Sequence, residues 1–188
     1  MPFATVNPAT GETEKTFAPF TPEEVEACLQ GAADAFVEYR KTSFGERSRH
    51  LITVAELFEG EIPEIARMVT TEMGKTFAAA KGEAAKCAMA LRWFAAHSEA
   101  LLADEPIESA AGRSYVHYQP IGPVLAIMPW NFPLWQVIRF IAPALMVGNV
   151  GLLKHASNVP QTAWFLEDVF RRGGVPEGVF TNLFVESK

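Results

Sequence analysis

Two periodicities share this chain. Up to about residue 102, apolar side chains return every three or four positions, the spacing of helices with one buried side. Beyond Gly122 they gather into short runs separated by helical stretches, the pattern of strands alternating with helices. Thr21-Pro22-Glu23-Glu24 supplies an N-cap, a proline at the first helical position and a glutamate at the third. Val25, Cys28, Leu29, Ala32 and Phe36 then predict a helix with one buried face. Ser43 and Glu46 open a second helix whose apolar side is Leu51, Val54, Ala55 and Phe58. Ile62, Ile65, Val69 and Met73 mark a third, ended by Gly74. From Thr76 to about Leu102 the chain is alanine-rich and free of proline, which favours one long helix with Cys87, Leu91 and Phe94 on a single face.

Asp104-Glu105-Pro106 and Ala110-Ala111-Gly112 break this pattern. Residues 113–120 alternate, with Tyr115, His117 and Gln119 set against Ser114, Val116 and Tyr118, as an exposed or intermolecular strand does. Residues 121–188 follow the order strand, helix, strand, helix, strand, at about 123–128, 134–147, 150–154, 159–172 and 179–184. Apolar strands linked by helices imply parallel crossovers and a sheet covered on both faces, an α/β fold. The apolar stretch from Val137 to Val150 is interrupted by Arg139, Pro143, Gly148 and Asn149, well short of the roughly 18 to 20 residues of a membrane span. No membrane partner is expected.

Composition narrows the function classes. Sixteen basic against 22 acidic residues give a net charge of -6 with no basic stripe, so a nucleic acid partner is not expected. The first twenty residues mix Glu12, Glu14 and Lys15 with prolines and lack the order of a secretion signal, so the expected location is cytoplasmic. Cys28 and Cys87, the only cysteines, have neither a Cys-x-x-Cys neighbour nor a His/Cys cluster; no metal site or disulfide is expected, and both read as small core residues. There is no Gly-x-Gly-x-x-Gly after the first strand of the second half and no phosphate-binding Gly-x-x-x-x-Gly-Lys-Ser/Thr anywhere.

Four positions carry candidate chemistry. Met128-Pro129-Trp130-Asn131-Phe132-Pro133 ends an apolar strand in a turn bracketed by prolines of fixed φ. Such a turn holds the Asn131 amide where it can donate to an oxygen that becomes negative during a reaction; the alternative is a surface turn whose asparagine bonds its own backbone. Lys154 closes the strand beginning at Val150, and ligands of open α/β sheets bind at the carboxyl ends of strands; a solvated strand terminus is the alternative. Ser157, three residues on, either meets a ligand or caps the helix that starts at Val159-Pro160. His155 between them has no evident carboxylate partner and reads as a packing or rim residue. Arg139 lies among Trp135, Val137, Ile138, Phe140 and Ile141, and a charge in such company needs an anionic partner, either an internal carboxylate or a ligand.

Taken in order, Asn7-Pro8-Ala9-Thr10-Gly11-Glu12, Glu72-Met73-Gly74-Lys75, Pro129-Trp130-Asn131-Phe132-Pro133 and Gly148-Asn149-Val150-Gly151-Leu152-Leu153-Lys154-His155-Ala156-Ser157 resemble the aldehyde dehydrogenase superfamily, and within it the short bacterial succinate-semialdehyde dehydrogenases. The resemblance implies residues 1–112 as the helical part of a cofactor-binding domain, 113–120 as an oligomerisation arm strand, and 121–188 as the first half of the NAD(P)-binding sheet. It further implies oxidation of succinate semialdehyde to succinate through a thiohemiacetal, with Asn131 in the oxyanion hole. Met128, Pro129, Trp130, Asn131, Lys154, His155, Ala156 and Ser157 would face the cofactor, with Arg139 gripping the substrate carboxylate and Phe132, Trp135 and Phe140 as pocket walls. NADP is expected over NAD, because Ser157 stands where many NAD-preferring relatives carry a glutamate that would repel the extra phosphate. Members of that family run to about 450 to 500 residues, roughly three domain lengths. The nucleophilic cysteine, the general-base glutamate and the catalytic domain are therefore expected outside this chain, the complete protein to be a dimer or tetramer, and these residues alone to be inactive. Two alternatives stay open: a non-catalytic module that binds nucleotide or associates with protein, and a dehydrogenase for another aldehyde.

Overall fold

The computed structural model describes residues 3–186. The chain opens with an antiparallel hairpin, β1 (Phe3–Val6) and β2 (Thr13–Phe17), followed by four helices, α1 (Pro22–Tyr39), α2 (Phe44–Gly60), α3 (Ile62–Met73) and α4 (Phe77–Leu101). A short antiparallel ribbon, β3 (Glu105–Pro106) with β4 (Tyr115–Val116), leads to β5 (Pro123–Met128), α5 (Trp135–Val147), β6 (Val150–His155), α6 (Pro160–Arg172) and β7 (Phe180–Asn182). The last three strands form one parallel sheet in the order β5-β6-β7.

The helix signals in the sequence act as expected. Thr21 with Glu24, and Ser43 with Glu46, both form capping boxes, and Gly74 ends α3 in the left-handed conformation at φ 77°. Leu51, Val54, Ala55 and Phe58 are buried, as are Cys87 and Leu91. One hydrophobic core runs from these helices through Leu134, Ile138, Ile141 and Leu145 of the α5 region into Val150 and Leu153 of the sheet. A second small cluster joins the hairpin to the chain after β7, where Phe184 meets Phe3, Phe17 and Phe20 at ring separations of 5.3, 5.2 and 5.8 Å. Sequence reading missed this hairpin, whose strands are short and, in β2, almost wholly exposed.

Strand parity divides the sheet into two faces. Ala126, Leu153 and His155 point into the core under α5, while Leu125, Ile127, Leu152 and Lys154 line an open groove beneath α1. Gly151 lies on the core side, where an added Cβ would stand 2.4 Å from the Ile141 side chain, so the missing side chain lets α5 lie close on β6.

Two expectations need correction. The sheet is not covered on both faces, for Leu125 is 55 % and Ile127 72 % exposed. The apolar side of α1 is likewise not wholly buried: Ala32 is, but Leu29 is 41 % exposed at the same groove. Within this chain only Tyr115–Val116 of the strand expected at residues 113–120 is paired as strand, with Glu105–Pro106, and the ribbon is exposed. Alternation marks sidedness, and within the chain the short partner adds beyond that pair only the Ile107 N–H, which donates to the Ser114 carbonyl at 2.9 Å.

Candidate active site

The turn after β5 and the loop after β6 lie side by side, because the register pairs Ile127 with Lys154 and Met128 with His155. Both are carboxyl ends of parallel strands, where the crevice of an open α/β sheet forms.

The turn carrying Asn131 is held through its backbone from two directions. On one side, Glu83 of α4 is 5 % exposed, and its Oε1 accepts from the backbone N–H groups of Leu134 and Trp135, each at 2.9 Å. Its other oxygen pairs with Lys75, whose Nζ also lies 3.9 Å from the centre of the Phe132 ring. No side chain within α5 caps its N-terminus, so a carboxylate fifty residues earlier does so, at the end where negative charge is favoured. On the other side, the His155 Nε2–H donates to the Pro133 carbonyl at 2.9 Å, while Nδ1 accepts from the Ala156 N–H at 2.8 Å. Burial, helped by the Lys154 charge, pushes the imidazole down to about 4, with the Pro133 bond and a weaker one to the Met128 backbone opposing. His155 is therefore neutral, and buried where a rim position had been the other reading.

Glu72 repeats the device at the next crossover. It is 2 % exposed and accepts from the N–H groups of Gln161 and Thr162 at 2.6 and 2.9 Å, from the Thr162 hydroxyl at 2.6 Å and from Thr5 Oγ1 at 2.8 Å. Burial pushes this carboxyl up, and the four donors pull it back. Ser157, considered from sequence as the cap of α6, is exposed and does not cap it. Glu72, Glu83 and Lys75 were absent from the sequence-based site; the signal that could have found Glu72 and Glu83 was a carboxylate falling on the buried side of a predicted helix.

The Asn131 side chain itself is exposed and makes no hydrogen bond among the described residues, and Pro129, Trp130 and Phe132 are exposed around it. Lys154 is half-buried in the groove of about 560 Å³ formed with Val25, Leu29, Leu125, Ile127, Leu152, Leu183, Val185 and Glu186. The register sets the Asn131 turn next to the end of β6, but Asn131 does not line that groove. Met128 and Ala156 are half-buried at the two strand ends.

Arg139 departs from the sequence reading. Its neighbours Val137, Ile138 and Ile141 are buried, but Arg139 is on the outer side of α5, exposed, and in no ion pair among the described residues. The internal carboxylate considered as its partner is not there. It sits one helical turn, about 6 Å of rise, beyond Trp135. Trp135 is half-buried with the Lys86 Nζ 3.8 Å from its ring centre, and Phe140 is half-buried beside Arg139. Trp135 and Arg139 thus lie one turn apart on α5, with Lys86 over the Trp135 ring.

No poised thiolate accompanies these groups. Cys87 is buried and Cys28 half-buried in a different groove, and burial pushes both thiols up. Among the described residues no cluster of His, Cys, Asp or Glu is set to hold a metal ion, and no helix is long and apolar enough to cross a membrane.

A parallel sheet with a clamped, amide-bearing turn at one strand end and a lysine at the next defines an α/β segment of the open-sheet kind. Comparison with known proteins supplies the family: residues 1–187 match the Aldehyde dehydrogenase family, and the chain belongs to it. It is 58 % identical over 190 aligned positions to succinate-semialdehyde dehydrogenase (NADP(+)) 1 of Mycobacterium tuberculosis strain H37Rv, a match covering 100 % of this chain and 42 % of that protein. Among solved structures, the succinic semialdehyde dehydrogenase of Streptococcus pyogenes in complex with NADP+ superposes with a TM-score of 0.96 at 34 % identity, covering 98 % of this chain and 41 % of that one. The succinate-semialdehyde dehydrogenase of Burkholderia pseudomallei does so at 0.93 and 31 %, covering 100 % and 39 %. The chain thus spans about two fifths of the length of the curated relatives it matches.

Proposed function

We propose that these residues serve in the NADP-dependent oxidation of succinate semialdehyde to succinate, as part of a dehydrogenase of the length of those relatives. The observation that carries this reading is the Asn131 turn, locked through Leu134, Trp135 and Pro133 while its amide stays open to a ligand. In that role Asn131 donates to the oxyanion formed when a thiolate, supplied from outside this chain, attacks the aldehyde. A donor whose backbone is held beforehand needs less reorganisation as the charge appears. Arg139, with Lys86 over the Trp135 ring one helical turn before it, favours a substrate with a second, anionic end, and a guanidinium can hold a carboxylate through two parallel bonds.

The cofactor fit rests on the groove and its rim. Seven apolar residues with Lys154 and Glu186 at their edge suit a flat ring and a polar sugar, and Ser157 adds no further carboxylate to the rim. Lys154 and Ser157 would bind the ribose and its phosphate, and Pro129 and Trp130 would border the nicotinamide end. When bound, NADP supplies the hydride acceptor.

The test is steady-state kinetics of the complete protein with succinate semialdehyde. Asn131→Ala is expected to lower kcat by about a hundredfold or more. Arg139→Ala is expected to raise the KM for succinate semialdehyde about tenfold and leave that for a short uncharged aldehyde unchanged. Full activity in Asn131→Ala would end the oxyanion assignment. The second reading, an association module, is favoured by the open face at Leu125 and Ile127; it would gain if the complete protein bound a partner yet oxidised no aldehyde.

A further inference from the structure

His155 uses both ring nitrogens to join the two halves of the proposed site. Its Nε2–H donates to the carbonyl of Pro133, two residues after Asn131, and its Nδ1 accepts from the N–H of Ala156, one residue before Ser157. The ring is 3 % exposed, so no water competes for either bond. From the opposite side, Glu83 holds Leu134 and Trp135. Met128, before the turn, is paired with His155 in the sheet, and the Pro133 carbonyl is where the far side of the turn is tied to β6, the strand that also carries Lys154.

We infer that His155 is a positioning residue, a single clip that sets the Asn131 turn through Pro133 and the cofactor-facing Ala156–Ser157 loop through Ala156. The inference rests on the functional reading above and assigns separate consequences to the two nitrogens. Loss of the Nε2 bond frees the turn and falls on the chemical step, since displacing a catalytic donor by about 1 Å costs as much as a hundredfold. Loss of the Nδ1 bond frees the loop and falls on cofactor binding. Neither effect needs His155 to touch substrate or cofactor.

Three variants of the complete enzyme separate these effects. His155→Gln places an amide near the Nε2 position and keeps a donor for Pro133. His155→Asn places an oxygen near the Nδ1 position and keeps an acceptor for the Ala156 N–H. His155→Leu keeps neither. The expected result is a kcat lowered about tenfold or more in His155→Asn and His155→Leu but within threefold of the parent in His155→Gln. The KM for NADP is expected to rise about fivefold in His155→Gln and His155→Leu but not in His155→Asn. A residue that merely fills the core would lower kcat and raise KM together, in step with lost thermal stability; that pattern, or parameters unchanged in all three, overturns the inference. If His155→Leu fails to fold, the Gln and Asn pair still decides. Asn131→Ala, assayed alongside, separates the two failures: unchanged kcat there defeats the oxyanion reading, whereas its loss with indifferent His155 variants defeats only the clip.

Discussion

Glu83 and Leu134 lie fifty-one residues apart in sequence, and the carboxylate of the first accepts the backbone N–H of the second at 2.9 Å. Replacing Glu83 with alanine would leave two N–H groups of the α5 start uncapped and the Lys75 ammonium, 11 % exposed, without its partner. The expected loss is about 3 kcal/mol by urea unfolding, and changing Lys75 to methionine in the same chain should restore part of it, because the unpaired buried charge is the larger cost.

A second buried charge is held without any carboxylate. The Arg47 guanidinium, from α2, donates to the carbonyls of Tyr39 and Arg40 at the end of α1 and of Met146 at the end of α5, and to Thr42 Oγ1. Helix C-termini carry partial negative charge, so they replace a counter-ion. Gly148, at φ 102°, lies against this group, and an added Cβ would stand 2.8 Å from Arg47 Nη2. Gly148→Ala should therefore cost about 3 kcal/mol in unfolding free energy, combining strain with displacement of Arg47.

Stability should fall in mild acid through His155. Its folded value of about 4 lies below the ordinary imidazole value of about 6.5, so the unfolded chain takes up the proton first as pH falls. The contribution is complete above about pH 6.5 and is lost progressively down to about pH 4, with a total of about 3 kcal/mol. Thermal unfolding measured across that window should show the loss, and His155→Leu should flatten it.

Ser157→Glu should reverse cofactor preference in the complete enzyme. A carboxylate at this exposed position beside the Lys154 rim repels the ribose phosphate of NADP and accepts from the free hydroxyls of NAD. Expected is an increase of about tenfold or more in KM for NADP with a fall for NAD, read from initial rates. An unchanged ratio would remove Ser157 from the cofactor site.

Local chemistry explains why so much of the fold was legible. The two capping boxes, the stop at Gly74, the long proline-free α4 and the apolar runs of β5 and β6 each depend on residues within a few positions of one another. The β1–β2 hairpin was not legible because its anchor is Phe184, at the other end of the described chain. The two-residue β4 depends on Glu105–Pro106 rather than on its own alternation. The exposure of Arg139 was not legible for a similar reason: sequence neighbours on a helix point to different sides, so an apolar neighbourhood in sequence did not mean an apolar neighbourhood in space.

The order of helices and strands, the proline-bracketed turn and the placement of Lys154 at a strand end were determined by the sequence alone, since propensity, capping and periodicity act over a few residues. Only the tertiary structure decided that Glu72 and Glu83 cap helices far along the chain, that Arg47 closes two helix ends, and that His155 ties the turn to β6. Apart from the Arg47 bonds to the nearby end of α1, these join groups from 22 to 99 residues apart, so nothing in the local pattern announces them. They form because buried helix ends and ring nitrogens must find partners once packing has excluded water.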